Sequence, residues 1–185
     1  TYLYAENRSA DDCTLALEWL QKGVIAGEVD AKVILGRLLV SGELGSHDFS
    51  RGMDLLQQAA QANVLMAVLT LVQMYKGGVE GCLDADAQLA QQYLRQAADL
   101  GDPNSAYHLA LELERANKPD FAQAFKYFDK AAQGGLSQAM HNVGVYYLHG
   151  KGVAKNAALA MAYLTEAAKL GSPLSMLSLS LLYLD

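Results

Sequence analysis

The sequence predicts an all-α protein built as a row of helix-turn-helix units about 36 residues long. Three recurring features predict it. An Ala-Ala pair stands at Ala59-Ala60, Ala97-Ala98, Ala131-Ala132 and Ala167-Ala168, with Gly23-Val24 as a worn copy, at spacings of 36, 38, 34 and 36 residues. Large residues precede each pair by four and three positions: Trp19-Leu20, Leu55-Leu56, Tyr93-Leu94, Tyr127-Phe128 and Tyr163-Leu164. Four positions after each pair stands a residue that accepts positive φ: Gly27, Asn63, Gly101, Gly135 and Gly171. Large side chains at −4 and −3 with small ones at 0 and +1 share one helix face, and the small ones admit a neighbouring helix closely. This second helix of each unit is helix B, ended by a left-handed cap.

The elements follow in order. Residues 1–27 read as a partial unit, with "TYLY" as the tail of a first helix and Trp19 to Gly27 as the end of a helix B. Full units follow at 28–63, 64–101, 102–135 and 136–171. Each opens with a helix A marked by a small residue: Ala31, Ala67, Ala106 and Ala139, with Ser175 as the same mark in the last segment. Eight positions on stand Leu39, Tyr75, Glu114, Tyr147 and Tyr183; five on stand Gly36, Val72, Leu111, Gly144 and Ser180. Asp102-Pro103 and Ser172-Pro173 are N-caps followed by proline at the first helical position. Turn formers end helix A at Ser41-Gly42, Gly77-Gly78 and Gly150-Lys151-Gly152; the third unit has the shorter Asn117-Lys118-Pro119 instead. Residues 172–185 are an orphan helix A, with Leu174, Leu177, Leu181, Leu182 and Leu184 spread around it. A terminal unit should turn a polar face outward. This one does not, so the expectation is a longer native chain or a second subunit over this end.

Composition narrows the function classes. The chain has 185 residues, 52% hydrophobic and 18% charged, enough for a sizeable core. A net charge of −6 with only 14 Lys and Arg, none in a run, argues against nucleic-acid phosphates and anionic lipids as partners. The longest apolar stretch, residues 174–184, is too short to span a bilayer, so direct membrane insertion is not expected.

The columns resemble the SEL-1-like repeat family, a 36-residue relative of the tetratricopeptide repeats. The fourth unit carries the likeness best, through Ala139, Val143, Gly144, Tyr147, Gly150, Gly152, Val153, Tyr163, Ala167, Ala168 and Gly171. The third unit departs from the pattern: it lacks the Gly-x-Gly-Val turn, and Glu114 stands where tyrosine is usual, which puts its local packing in question. The resemblance implies a right-handed α-α superhelix, or solenoid, whose A helices line a concave wall. It also implies a binding, scaffold or adaptor role, frequent in bacteria, with the periplasm favoured over the cytoplasm.

Candidate chemistry is sparse. No nucleophile elbow, phosphate-binding glycine loop or HExxH pattern is present, and the glycines recur with the repeat, so they read as turn residues. No enzyme activity, metal or cofactor is therefore expected. By the resemblance, the column two after the small residue faces the concave groove: Val33, Leu69, His108, His141 and Leu177. Equivalent positions in adjacent units lie about 10 Å apart at helix-packing distances, too far for His108 and His141 to share a zinc ion. They read instead as hydrogen-bonding groove residues. The column at +6 holds Arg37, Gln73, Glu112, Val145 and Leu181; the column at +9 holds Val40, Lys76, Arg115, Leu148 and Leu184. Arg37, Gln73, Lys76, His108, Glu112, Arg115 and His141 are thus the candidate partner-binding residues, and Leu174, Leu177, Leu181 and Leu184 the candidate surface for end-to-end association. The ring columns (Trp19, Tyr93, Tyr127 and Tyr163; Tyr75, Tyr147 and Tyr183) read as core, since aromatics at helical spacing usually pack. Cys13 and Cys82 read as lying at or near turns two units apart, beyond the roughly 7 Å that a disulfide allows. Two free thiols are expected, unlike the cysteine-rich branch of the family, where paired cysteines staple each repeat.

Three functions stay open. The first is a module binding a peptide or protein on its concave face. The second is a structural spacer that self-associates through residues 172–185. The third is a hydrolase-like or small-ligand-binding repeat protein, for which no residues can be assigned.

Overall fold

The computed structural model describes residues 10–43, 45 and 47–184. The "TYLY" segment lies outside them. Ten helices follow one another among the described residues: α1 (Ala10–Ile25), α2 (Val29–Ser41), α3 (Phe49–Gln61), α4 (Leu65–Gly77), α5 (Ala87–Asp99), α6 (Pro103–Arg115), α7 (Phe121–Gln133), α8 (Ser137–His149), α9 (Ala157–Lys169) and α10 (Pro173–Leu182). The chain forms two compact units, Thr1–Tyr93 and Leu94–Asp185. In the first, α1 packs on α2, α2 on α3 and α3 on α4. In the second, α6 packs on α7, α7 on α8, α8 on α9 and α9 on α10.

The exits from the B helices are built alike. Gly27, Asn63, Gly101, Gly135 and Gly171 all have positive φ, between 61° and 97°. At each, the amide of that residue donates to the carbonyl three back, and the next amide donates to the carbonyl five back. Gly101 to Ala98 (3.1 Å) with Asp102 to Ala97 (3.0 Å), and Gly171 to Ala168 (2.9 Å) with Ser172 to Ala167 (3.0 Å), are two instances. This paired closure satisfies carbonyls that a helix end otherwise leaves open. It hangs on the alanine pair, so that pair sets both the packing face and the exit.

The entries to the B helices share a second device. Asp48, Asp86, Asp120 and Asn156 stand eleven residues before their alanine pairs, and each side chain accepts from an amide in the first turn, at 2.9–3.0 Å. Such a cap contributes about 0.5–2 kcal/mol. The amide of each same residue also donates back to the end of its helix A: Asp48 to Leu39, Asp86 to Tyr75, Asp120 to Leu113 and Asn156 to Tyr147. One residue therefore starts helix B and ties it to helix A.

The cores follow the columns. In the first unit, Leu35, Leu39 and Leu55 cluster with Leu17, Leu20 and Val24, and Tyr75 stacks on Tyr93 with ring centres 5.7 Å apart. In the second, Phe128 is fully buried and meets Tyr107 and Tyr146 edge-on at 5.7 and 5.4 Å. Tyr147 stacks on Tyr163 at 6.0 Å. Close helix contact needs glycine at several places: a Cβ on Gly36 would lie 2.9 Å from Leu56, one on Gly52 2.8 Å from the Gly36 carbonyl, and one on Gly144 2.8 Å from Leu164.

Two sequence expectations need correction. Trp19 and Tyr183 are exposed, at 63% and 74%, rather than core. Both belong to ring columns, but no described helix covers them. Cys13 lies in the first turn of α1, near the start of that helix as expected. Cys82 does lie in the α4–α5 loop, and both thiols are free.

Candidate functional site

The A helices carry the candidate binding residues at +2, +6 and +9, positions that share one helix face by periodicity. In the first unit, Arg37 on α2 and Gln73 and Lys76 on α4 are exposed. The Arg37 guanidinium reaches the Met66 sulfur at 3.6 Å. Val33, in the same set of columns, is only 4% exposed and belongs to the core. The groove columns therefore do not run uninterrupted from one A helix to the next.

In the second unit the columns change character from helix to helix. His108, Glu112 and Arg115 are exposed on α6. On α8, His141, Val145 and Leu148 are half-buried. On α10, Leu177 and Leu181 are more than half exposed, as are Leu174 one turn earlier and Leu184 just beyond the helix. Thus a charged helix, a mixed helix and an apolar helix follow in order.

His141 is not equivalent to His108. Its Nδ1 lies 3.0 Å from the hydroxyl of fully buried Ser175, which bonds in turn to the α10 cap Ser172 at 3.1 Å. Burial lowers the His141 pKa, so its neutral ring is favoured. His141 thus links α8 to the start of α10, while His108 lies open beside Tyr107.

A polar contact beside this face was not legible as a site. Glu114 replaces the usual ring of its column, and Lys151, from the turn after α8, pairs with it. The Lys151 ammonium also sits 4.5 Å from the Phe121 ring centre and 5.2 Å from that of Tyr146. Burial first, then the Glu114 carboxylate, push the Tyr146 phenol pKa up. The hydroxyl nonetheless lacks a partner in hydrogen-bond geometry among the described residues. The departure that put the third unit's packing in question is thus met by a lysine from the fourth. Their separation of 37 residues gave only a weak sequence signal.

Among the described residues, no group of three or more His, Cys, Asp or Glu side chains is placed to hold a metal ion. No described helix is long and apolar enough to cross a membrane.

The Sel1 repeat family profile matches residues 2–27, 29–64, 61–102, 103–136 and 137–172. The chain belongs to the Sel1 repeat family. A Sel1 repeat protein from Oxalobacter formigenes superposes with a TM-score of 0.75 at 24% identity, over 90% of this chain and 49% of that one. A protective antigen with an SLR fold from uropathogenic Escherichia coli gives 0.68 at 27% identity, over 90% and 36%. The fold class is accordingly the all-α repeat solenoid of Sel1 proteins. Among curated relatives, the chitin synthase regulator SKT5 of Saccharomyces cerevisiae is 32% identical over 125 residues, 65% of this chain and 18% of the yeast protein. The DAP3-binding cell death enhancer 1 of Rattus norvegicus is 27% identical over 171 residues, 92% of this chain and 34% of that protein. The chain thus spans about a third or less of these two relatives. Sel1 repeats generally serve as protein-interaction modules.

Proposed function

We propose that this chain is a non-catalytic interaction module that holds a peptide or protein partner against the exposed face of its A helices. The observation that carries the reading is the graded face of the second unit: His108, Glu112 and Arg115 on α6, then Val145 and Leu148 on α8, then Leu177 and Leu181 on α10. A partner segment with polar groups at one end and an apolar anchor at the other matches that order. Arg37, Gln73 and Lys76 offer a further polar contact surface on the first unit. Two relatives, one called a regulator and the other a DAP3-binding protein, are consistent with action through a partner.

The test is affinity capture of partners, followed by titration against alanine variants of Arg37, Gln73, Lys76, His108, Glu112, Arg115 and His141 and against Leu177→Asp. The expected result is at least a tenfold loss of affinity for two or more variants, with Leu177→Asp the worst. Unchanged binding by every variant would remove the face from consideration.

A further inference from the structure

In the first unit, the A helices and the turns that follow them carry opposite charge. α4 holds no aspartate or glutamate and ends near Lys76; α2 holds Arg37 and a single acid, Asp30, about two turns before it. The turn after α2 carries Glu43 and Asp48, and the turn after α4 carries Glu80, Asp84 and Asp86. The remaining cation of α2, Lys32, donates to Gln58 of α3 at 3.0 Å.

Arg37 and Lys76 are exposed, and among the described residues neither is held in an ion pair. The Arg37 guanidinium instead rests on the Met66 sulfur, 3.6 Å away, and so joins α2 and α4 into one surface. A thioether is a weak acceptor, which leaves most of the guanidinium's donors unspent. Met66 is 55% exposed, and methionine adapts to varied apolar groups at binding surfaces. Met66, Gln73 and Lys76 share one stripe of α4 by periodicity. Lys76 stands ten residues after Met66, about 15 Å along the axis. An extended peptide covers that distance in about four or five residues.

We propose that this α2–α4 face binds an acidic peptide segment, with one side-chain carboxylate on Arg37, a second about four residues on at Lys76, and an apolar side chain on Met66. The proposal rests on the interaction-module reading and names the partner's chemistry at the first unit. A guanidinium takes a carboxylate through two parallel hydrogen bonds. Gln73 both donates and accepts, which suits the peptide backbone between the two carboxylates. The occupant is a short acidic segment because the acidic turns beyond α2 and α4 repel a longer polyanion that runs past the face.

Fluorescence anisotropy with the 185-residue chain tests it. The probe is a dye-labelled, end-blocked peptide with two glutamates about four residues apart and a leucine beside the first; the control peptide has glutamine for glutamate. Blocked ends leave side-chain carboxylates as the only anions. The glutamate peptide should bind at least about tenfold more tightly than the control, and should lose at least about fivefold in affinity between about 50 and 300 mM salt. Arg37→Ala and Lys76→Ala should each weaken it about fivefold or more, and Arg37→Lys less than Arg37→Ala. Met66→Ser should weaken it and leave the salt dependence in place. His108→Ala and Arg115→Ala in the second unit should change it less than about twofold. Helix content by circular dichroism should stay constant throughout, since these side chains are exposed. No binding at up to about 1 mM overturns the proposal. So does equal affinity for the control peptide, indifference to both Arg37 and Lys76, or equally tight binding of a DNA duplex, which would mark a generic anion surface. If the peptide fails while a captured partner still loses affinity on substitution of His108 or Leu177, the acidic partner falls alone and the interaction module stands.

Discussion

The hairpins α6–α7 and α8–α9 lie in the same unit and close in different ways. The turn after α8 uses two residues with positive φ, Gly150 at 69° and Gly152 at 66°; the turn after α6 uses none. Both B helices still run 13 residues, and both start at a side-chain cap whose amide reaches back to helix A, 3.3 Å from Asp120 to Leu113 and 3.0 Å from Asn156 to Tyr147. Closing a hairpin therefore needs the cap and the back-tie, not the glycines. The glycines answer to what the longer turn touches. A Cβ on Gly152 would lie 2.3 Å from the Phe121 carbonyl, at the start of α7 in the neighbouring hairpin. That close approach also delivers Lys151 to Glu114, where the shorter hairpin lacks its ring.

Substitutions test this contrast. Phe128→Ala should have the largest effect, because this buried ring meets Tyr107 of one hairpin and Tyr146 of the other. A loss of about 3–5 kcal/mol is expected in urea unfolding. A loss under about 1 kcal/mol would mean that the two hairpins do not share a core. Next comes Gly152→Ala, expected to cost about 1–3 kcal/mol through overpacking against Phe121. Lys118→Ala in the shorter turn should stay within about 0.5 kcal/mol. Equal costs would undo the distinction between the turns.

A smaller effect is expected from Lys151→Met, below about 1 kcal/mol for a partly exposed ion pair. In a double-mutant cycle with Glu114→Gln the coupling should exceed that of Lys169 with Glu166, a more exposed pair within α9. Comparable couplings would remove Lys151 as the substitute for the missing ring. The smallest effect is read from pH. Burial first, then the Asp129 carboxylate that accepts the Tyr163 hydroxyl at 3.1 Å, push the Tyr163 pKa up to about 12. An unfolded tyrosine titrates near 10. The tie from α9 to α7 thus contributes its stability in full below about pH 10 and loses it as pH rises through about 12. Tyrosinate absorbance should show a step there that Tyr163→Phe deletes; an unaltered titration curve would reject the assignment.

Much of this architecture could be read from the residues, for a physical reason. Positions that repeat with the packing unit leave periodic marks: the alanine pairs, the large residues before them and the five left-handed exits. The cap column Asp48, Asp86, Asp120 and Asn156 is just as periodic, but Asp and Asn also fill ordinary turns, so the residue type alone does not mark a cap. Exposure was less legible. Trp19 and Tyr183 carry the core pattern, yet a column states what a side chain can pack against, not whether the covering helix is there. The face at +2, +6 and +9 was legible as a column set but not in its detail: Val33 sinks into the core and His141 is drawn toward Ser175. The Glu114–Lys151 contact left almost no trace, since it joins one irregular residue to another across two repeats.

The uniform exits have a consequence for how such a chain can change length. Every helix B releases the backbone through the same two hydrogen bonds at the same kind of residue, so the main chain leaves each copy by an equivalent junction. A segment cut from one exit to the next could be spliced out, or inserted twice, without inventing a new joint. Growth and shrinkage of the array then become matters of recombination between like boundaries.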